Sequence, residues 1–81
     1  MRAKTLKMVS AKEIAEELGI SYQTLNYYTN IGLLRVARRR GNSRQYDEED
    51  AKKRFSHINQ MQDEGYPLKV IAKLINSRTL Q

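Results

Sequence analysis

Residues 10–28 of the chain read SAKEIAEELGISYQTLNYY, and this stretch decides the fold. Ser10 and Glu13 have the spacing of a capping box, in which each side chain satisfies the other's backbone N–H at the start of a helix. The apolar residues that follow have the spacing of one helix face: Ala11, Ile14, Ala15 and Leu18. Gly19 comes where a helix commonly ends in a left-handed residue. The stretch therefore begins with a short amphipathic helix.

A second helix follows almost at once. Only Gly19 and Ile20 separate the first helix from Ser21, the next candidate N-cap, and the new helix is expected to reach about Thr29 before Gly32 stops it. Its core face is predicted to carry Leu25 and Tyr28. Two short helices joined this tightly cross at a steep angle, which is the helix-turn-helix arrangement.

A β-hairpin is predicted next. Residues 33–37 are expected to form a strand, residues 40–43 have the composition of a turn, and residues 44–46 are expected to form the return strand. Arginines surround this turn, and we call the hairpin the wing.

Two further helices complete the prediction. Asp47 is the expected N-cap of a long helix that ends at Gly65, and Pro67 stands near the start of a last helix. The predicted inward positions of the first are Ala51, Phe55, Ile58 and Met61 or Gln62; those of the second are Leu68, Ile71, Leu74 and Ile75.

The predicted fold class is mostly α with a small β-hairpin wing, a winged helix-turn-helix with the order helix, helix, hairpin, helix, helix. The expected boundaries are a basic and mobile N-terminal lead at residues 1–8, the folded domain at residues 9–76 and a tail at residues 77–81.

The charge of the chain is segregated. It has 15 Lys and Arg against 9 Asp and Glu among 81 residues, a formal net charge of +6. A basic balance is typical of nucleic-acid binders but also of domains with many solvated lysines, so the distribution of the charge matters more than its total. Residues 35–44 contain five arginines and no acid, and four acids follow at residues 47–50. This pattern favours an anionic partner at the wing.

Several classes of site are not expected. The chain has no cysteine and one histidine, so we predict neither a disulfide nor a metal site, and no cofactor. His57 has no evident nucleophile or supporting acid, so no catalytic residue is predicted.

There is no apolar run of transmembrane length and no signal peptide in the first ten residues, which makes the cytoplasm, with its nucleoid, the expected location.

The predicted DNA-contacting side chains lie on the outward face of the second helix and on the wing. Asn and Gln can bond adenine in the major groove, and Tyr and Arg can hold phosphates. These residues are Tyr22, Gln23, Thr24, Asn26, Tyr27, Arg38, Arg39, Arg40, Asn42, Ser43, Arg44 and Tyr46. Arg44 and Tyr46 share one face of their strand, and two arrangements are open. Either both face DNA, or Tyr46 is core and Arg44 packs along it.

At these residues the sequence resembles the MerR family of bacterial transcription regulators. The similar segments are residues 13–21, 24–28, 31–34 and 44–46, followed by acids and then by residues 58–65, Leu68 and Ile71. The resemblance extends over roughly residues 9–75. It implies a winged helix-turn-helix that binds a near-palindromic operator as a dimer. It also implies phosphate contacts from Tyr27 and Arg44, and base contacts from Tyr22, Gln23 and Asn26.

The chain departs from the family pattern in three places. Asn26 stands where the family usually has Arg, and Thr29 where it usually has Glu. Family members also continue into a long dimerising helix, whereas only residues 76–81 follow Ile75 here. Because no heptad seam is present, we expect the isolated chain to be a monomer that becomes a dimer on DNA or within a longer chain.

Two other functions fit the same sequence. One is a small excisionase-like architectural protein that bends DNA for recombination. The other is an interaction module whose basic face binds an acidic protein partner that mimics DNA.

Overall fold

The computed structural model describes residues 7–79, and this part of the chain forms four helices and three short strands. In chain order they are β1 (Met8–Ser10), α1 (Ala11–Leu18), α2 (Tyr22–Asn30), β2 (Arg38–Arg40), β3 (Ser43–Asp47), α3 (Glu48–Asp63) and α4 (Leu68–Thr79). The predicted fold class, a mostly helical winged helix-turn-helix, is confirmed. Residues 1–6 of the expected lead lie outside the described residues.

The starts of the first two helices and the end of α1 form as predicted. The Ser10 hydroxyl accepts the Glu13 N–H at 3.1 Å, and the Glu13 carboxylate accepts the Ser10 N–H at 3.2 Å. Gly19 adopts φ 72°, a left-handed conformation that closes α1. Ser21 then caps α2 by accepting the Thr24 N–H at 3.0 Å. Local capping chemistry thus fixes both helices and the short turn between them.

The wing is part of a three-stranded antiparallel sheet rather than an isolated hairpin. The strand order is β1-β3-β2, so β3 lies in the middle. Met8, which was expected in the N-terminal lead, pairs with Asp47 as the first residue of β1. The sheet therefore joins the start of the described chain to the residue that caps α3.

The prediction of a strand at residues 33–37 is wrong. Leu33 and Leu34 are both buried, and their N–H groups both bond the Tyr28 carbonyl oxygen, at 2.8 and 3.3 Å. Adjacent strand residues point to opposite faces, whereas this turn after α2 directs both leucines into the core. The strand begins only at Arg38.

The core faces of α3 and α4 differ in part from the prediction. Ala51 and Ile58 are buried, but Phe55 and Met61 are only partly buried and Gln62 is exposed.

On α4, Ile71 and Ile75 are buried as expected and Leu68 packs at the edge of the core. Leu74 is 39 % exposed, and Ala72 takes the buried place beside Ile71 instead. The helix also continues to Thr79, three residues past the predicted end of the domain.

A buried arginine ties the turn after α2 to the last two helices. Arg54 of α3 is 5 % exposed, and its Nη1 donates to the Leu33 carbonyl oxygen at 3.0 Å and to the Asn76 side-chain oxygen at 3.5 Å. Asn76 in turn donates from Nδ2 to the Gly32 carbonyl oxygen at 2.9 Å. Asp50 lies 3.6 Å from Arg54 Nε and supplies an opposite charge.

The pKa of Arg54 is lowered from its ordinary value, first by burial and then by the nearby Arg35, while Asp50 acts in the opposite direction. An arginine remains protonated in spite of such a shift. The fold therefore holds a positive charge next to an irregular piece of backbone.

The substitution Arg54→Ala should lower the free energy of unfolding by about 3 kcal/mol, because it leaves buried polar partners unsatisfied. Urea unfolding followed by circular dichroism measures this loss. The matched control is Lys53→Ala at the neighbouring exposed position, which should change stability by no more than about 0.5 kcal/mol. Equal stability of the two variants would contradict the structural role of Arg54.

A second buried bond joins the sheet to α2. Tyr46 on β3 is fully buried, and its hydroxyl lies 2.8 Å from the Thr29 hydroxyl. Thr29 uses its only hydroxyl proton to bond the Leu25 carbonyl oxygen at 2.9 Å. Tyr46 must therefore donate to Thr29, and this bond fixes the distance between β3 and the end of α2.

The substitution Tyr46→Phe should reduce the free energy of unfolding by about 1 kcal/mol, the net contribution of one buried hydrogen bond. Tyr66→Phe removes the same hydroxyl from a side chain that is 43 % exposed, and it should leave stability nearly unchanged. Thermal or urea unfolding of both variants makes the comparison. If Tyr46→Phe unfolds like the wild type, the bond to Thr29 does not stabilise the fold.

Candidate nucleic-acid interface

The outward face of α2 carries polar and aromatic side chains. Tyr22 is 51 % exposed, Tyr27 is 45 % exposed and Gln23 is also exposed. Thr24 is half-buried, and its hydroxyl accepts a bond from the Ser21 hydroxyl at 2.9 Å, so it serves the helix cap. Asn26 is half-buried too, because it lies against the wing.

The wing presents its arginines on two faces. All three residues of β2 are exposed. Arg39 pairs with Arg44 of β3, so these two side chains share one face, while Arg38 pairs with Gln45 on the other face. Arg38 Nε donates to the Gln45 side-chain oxygen at 3.2 Å.

The remaining predicted wing residues lie at or beside the hairpin turn. Asn42 is in the turn, and Ser43 is the first residue of β3, where it pairs with Arg40. All three side chains are exposed. They are available to an approaching molecule from the tip of the wing.

Arg44 connects the wing to α2. Its Nη2 donates to the Tyr22 hydroxyl at 3.3 Å and to the side-chain oxygen of Asn26. Its guanidinium carbon lies 5.7 Å from the ring centroids of both Tyr22 and Tyr46, within the range of a cation–π interaction. The outward face of α2 and the wing therefore form one continuous surface.

Tyr46 does not belong to this surface. Its side chain is fully buried and its hydroxyl is bonded to Thr29, so it has no atom available to DNA. Of the two arrangements left open by the sequence, the second is correct: Tyr46 is core and Arg44 packs along it. The prediction that Tyr46 contacts DNA is therefore wrong.

Glu48 and Asp50, two of the acids that follow the wing, are paired with cations that lie outside β2 and β3. Glu48 lies 3.6 Å from Lys7 and 3.9 Å from Lys52. Asp50 lies 3.3 Å from the Arg35 guanidinium and also pairs with Arg54.

None of the arginines at residues 38–40 and 44 makes an ion pair with another residue in the described range 7–79. The positive charge of the wing is therefore not neutralised by a described acid.

Two hydrogen bonds, one on this surface and one in the core beneath it, have no local signal in the sequence. Thr29 and Tyr46 are 17 residues apart and Arg44 and Asn26 are 18 apart, and in each pair the partners come from different elements. Hydrophobic periodicity describes one element at a time, so it cannot predict such bonds.

Within residues 7–79, no cluster of three or more side chains suited to holding a metal ion is present. No helix in the same range has the length and apolar character needed to span a bilayer.

Comparison with solved structures shows a similar fold in a transcriptional regulator of the MerR family from Bacillus cereus. The TM-score is 0.71 at 24 % sequence identity, and the match covers 85 % of this chain and 52 % of that one. The chain thus spans about half the length of this structural relative. A comparison with curated proteins gave no match.

The model of the MerR HTH family of regulatory proteins matches residues 9–78. This match includes both helices of the helix-turn-helix, the wing and nearly all of α3 and α4. The chain therefore belongs to the MerR HTH family of regulatory proteins.

Proposed function

We propose that this domain binds double-stranded DNA as the DNA-binding part of a bacterial transcription regulator. Helix α2 enters the major groove, and the wing arginines contact the phosphate backbone or the minor groove. Family membership supports this function, as does the description of the structural relative as a transcriptional regulator.

The observation that carries the proposal is the position of Arg39 opposite Arg44. Two like charges directly across a strand pair repel each other, and neither side chain makes an ion pair with another residue between 7 and 79. An anion placed between or beside them would relieve this repulsion. A DNA backbone offers phosphates at regular spacing, and Arg is well suited to hold them.

The exposed face of α2 supports a contact with bases. Gln23 and Asn26 carry side-chain amides, which can bond base edges in the major groove, while Tyr22 and Tyr27 have hydroxyls that can reach phosphates. Because Arg44 holds the wing against this face, the phosphate-binding and base-reading groups would reach one duplex together.

We further propose that the operator is near-palindromic and that two copies bind it, one on each half-site. A twofold protein arrangement matches a palindromic duplex. Each copy would then supply one half of the recognition surface.

Binding to a random-sequence duplex should weaken steeply as salt rises. If roughly six phosphates are neutralised, the logarithm of the association constant should fall against the logarithm of salt concentration with a slope of about −5. Fluorescence anisotropy of a labelled duplex measures the slope. A flat salt response, or no binding at low salt, would contradict DNA binding through the wing.

Charge removal at the wing should differ from amide removal on α2. Arg39→Ala should weaken binding to all duplexes alike and reduce the salt slope by about 1, because it deletes one phosphate contact. Gln23→Ala should instead relax preference at particular base pairs, by about 1 to 3 kcal/mol.

The charge control is Lys73→Ala at an exposed position of α4, which should leave the slope unchanged. Anisotropy titrations on a selected duplex and on a random one separate these effects. Relaxed sequence preference in Arg39→Ala, with a uniform loss in Gln23→Ala, would reverse the assigned roles.

A further inference from the structure

The bond between Arg44 and Asn26 fixes the orientation of an amide on the proposed reading face. Arg44 Nη2 meets the side-chain oxygen of Asn26. A guanidinium has only donors, so it requires the oxygen of the amide and excludes the alternative orientation in which Nδ2 would face it. Asn26 is therefore held with its acceptor turned to the wing.

The other end of the amide remains available. Asn26 Nδ2 has no hydrogen-bond partner among residues 7–79, and Asn26 is half-buried rather than enclosed. Arg44 uses only Nη2 in its bonds within that range, so Nε and Nη1 keep their hydrogens for an external acceptor. The two side chains together present donors and a positive charge.

The major-groove edges of the two purines differ in their hydrogen-bonding groups. Guanine offers two acceptors, N7 and O6, whereas adenine offers the acceptor N7 beside a 6-amino donor. The 6-amino donor of adenine, brought close to Asn26, would be repelled by the Arg44 cation and could not use the amide oxygen, which Arg44 already bonds. An acceptor of guanine would instead accept a hydrogen bond from Nδ2 and would be attracted by the same cation.

We propose that Asn26 and Arg44 form one composite reader that recognises a guanine and rejects adenine at the same position. This inference rests on the proposed DNA binding and names the base that the site prefers. Asn26 touches the base, and Arg44 acts as a positioning residue that fixes the amide. Alone, an asparagine is suited to adenine, so the bond to Arg44 changes what this residue reads.

Gln23 provides an internal contrast. It lies on the same helix and is exposed, and its amide has no hydrogen-bond partner among residues 7–79. A free amide can turn either way and can make the paired donor and acceptor bonds that suit adenine. The two amides of α2 should thus respond differently to changes in the base.

The test begins with a duplex selected by the wild-type chain from a randomised pool. The base pair whose preference disappears in Asn26→Ala is located by single-position substitution and anisotropy. We expect a guanine there, and replacing it with adenine should weaken wild-type binding by roughly 10-fold. Replacing it with 7-deazaguanine, which lacks the N7 acceptor, should also weaken binding, whereas inosine, which keeps N7 and O6, should not.

Two variants test the roles of the pair. Asn26→Asp keeps an oxygen for Arg44 but removes the donor, so the preference for guanine should be lost. Arg44→Met releases the amide, so adenine should become tolerated at this position, and Arg44→Lys should restore part of the rejection because it returns the charge.

The control is Gln60→Ala, which removes an exposed amide from α3 and should leave the preference intact. Circular dichroism melting selects the variants that keep the wild-type fold. The base replacements are made in the duplex and measured with the wild-type protein, so an effect of an amino-acid substitution on the fold cannot disturb this readout.

The outcomes are distinct. Preference for guanine with loss on 7-deaza replacement supports the composite reader. An adenine at the Asn26-dependent position, with loss of binding when its 6-amino group is removed, would overturn it, and so would the absence of any base pair that depends on Asn26. Failure of the wild type to bind any duplex in a salt-dependent way would instead refute the proposed function.

Discussion

The hydrogen bond from Arg54 to the Leu33 carbonyl oxygen fixes the turn after α2, and the position of the wing depends on this turn. The turn after α2 has little regular secondary structure, so its backbone groups need partners from elsewhere. Arg54 and Asn76 supply them from α3 and α4. Since β2 begins at Arg38, a few residues later, the position of the wing relative to α2 follows from this support.

Much of the fold could be predicted because its helix ends are encoded locally. Ser10, Gly19 and Asp47 each act within three or four residues of their own position, and such signals are visible in a single sequence. The strand β1 could not be predicted, because three residues carry no periodicity and their pairing partner is about forty residues away. The conformation of Leu33 and Leu34 could not be predicted, because periodicity alone does not distinguish a short apolar run in a strand from one in a turn that enters the core.

The candidate site could be predicted in outline but not in its internal bonds. The basic wing and the polar face of α2 follow from composition and spacing, and most of their predicted residues are exposed. Whether Tyr46 faced DNA or the core depended on which face of the sheet the helices cover, which is a tertiary property. The bond that joins Arg44 to Asn26 depends on the same packing, so it emerges only from the folded chain.

The position of β2 at the outer side of the sheet has a consequence for self-association. An unpaired edge strand offers free backbone groups to any other strand, and this is a common route to aggregation. Here Arg38, Arg39 and Arg40 make up the whole strand and are all exposed. Two copies that approached through their β2 edges would bring these like charges together, so their mutual repulsion protects this edge of the sheet from extension by a second copy.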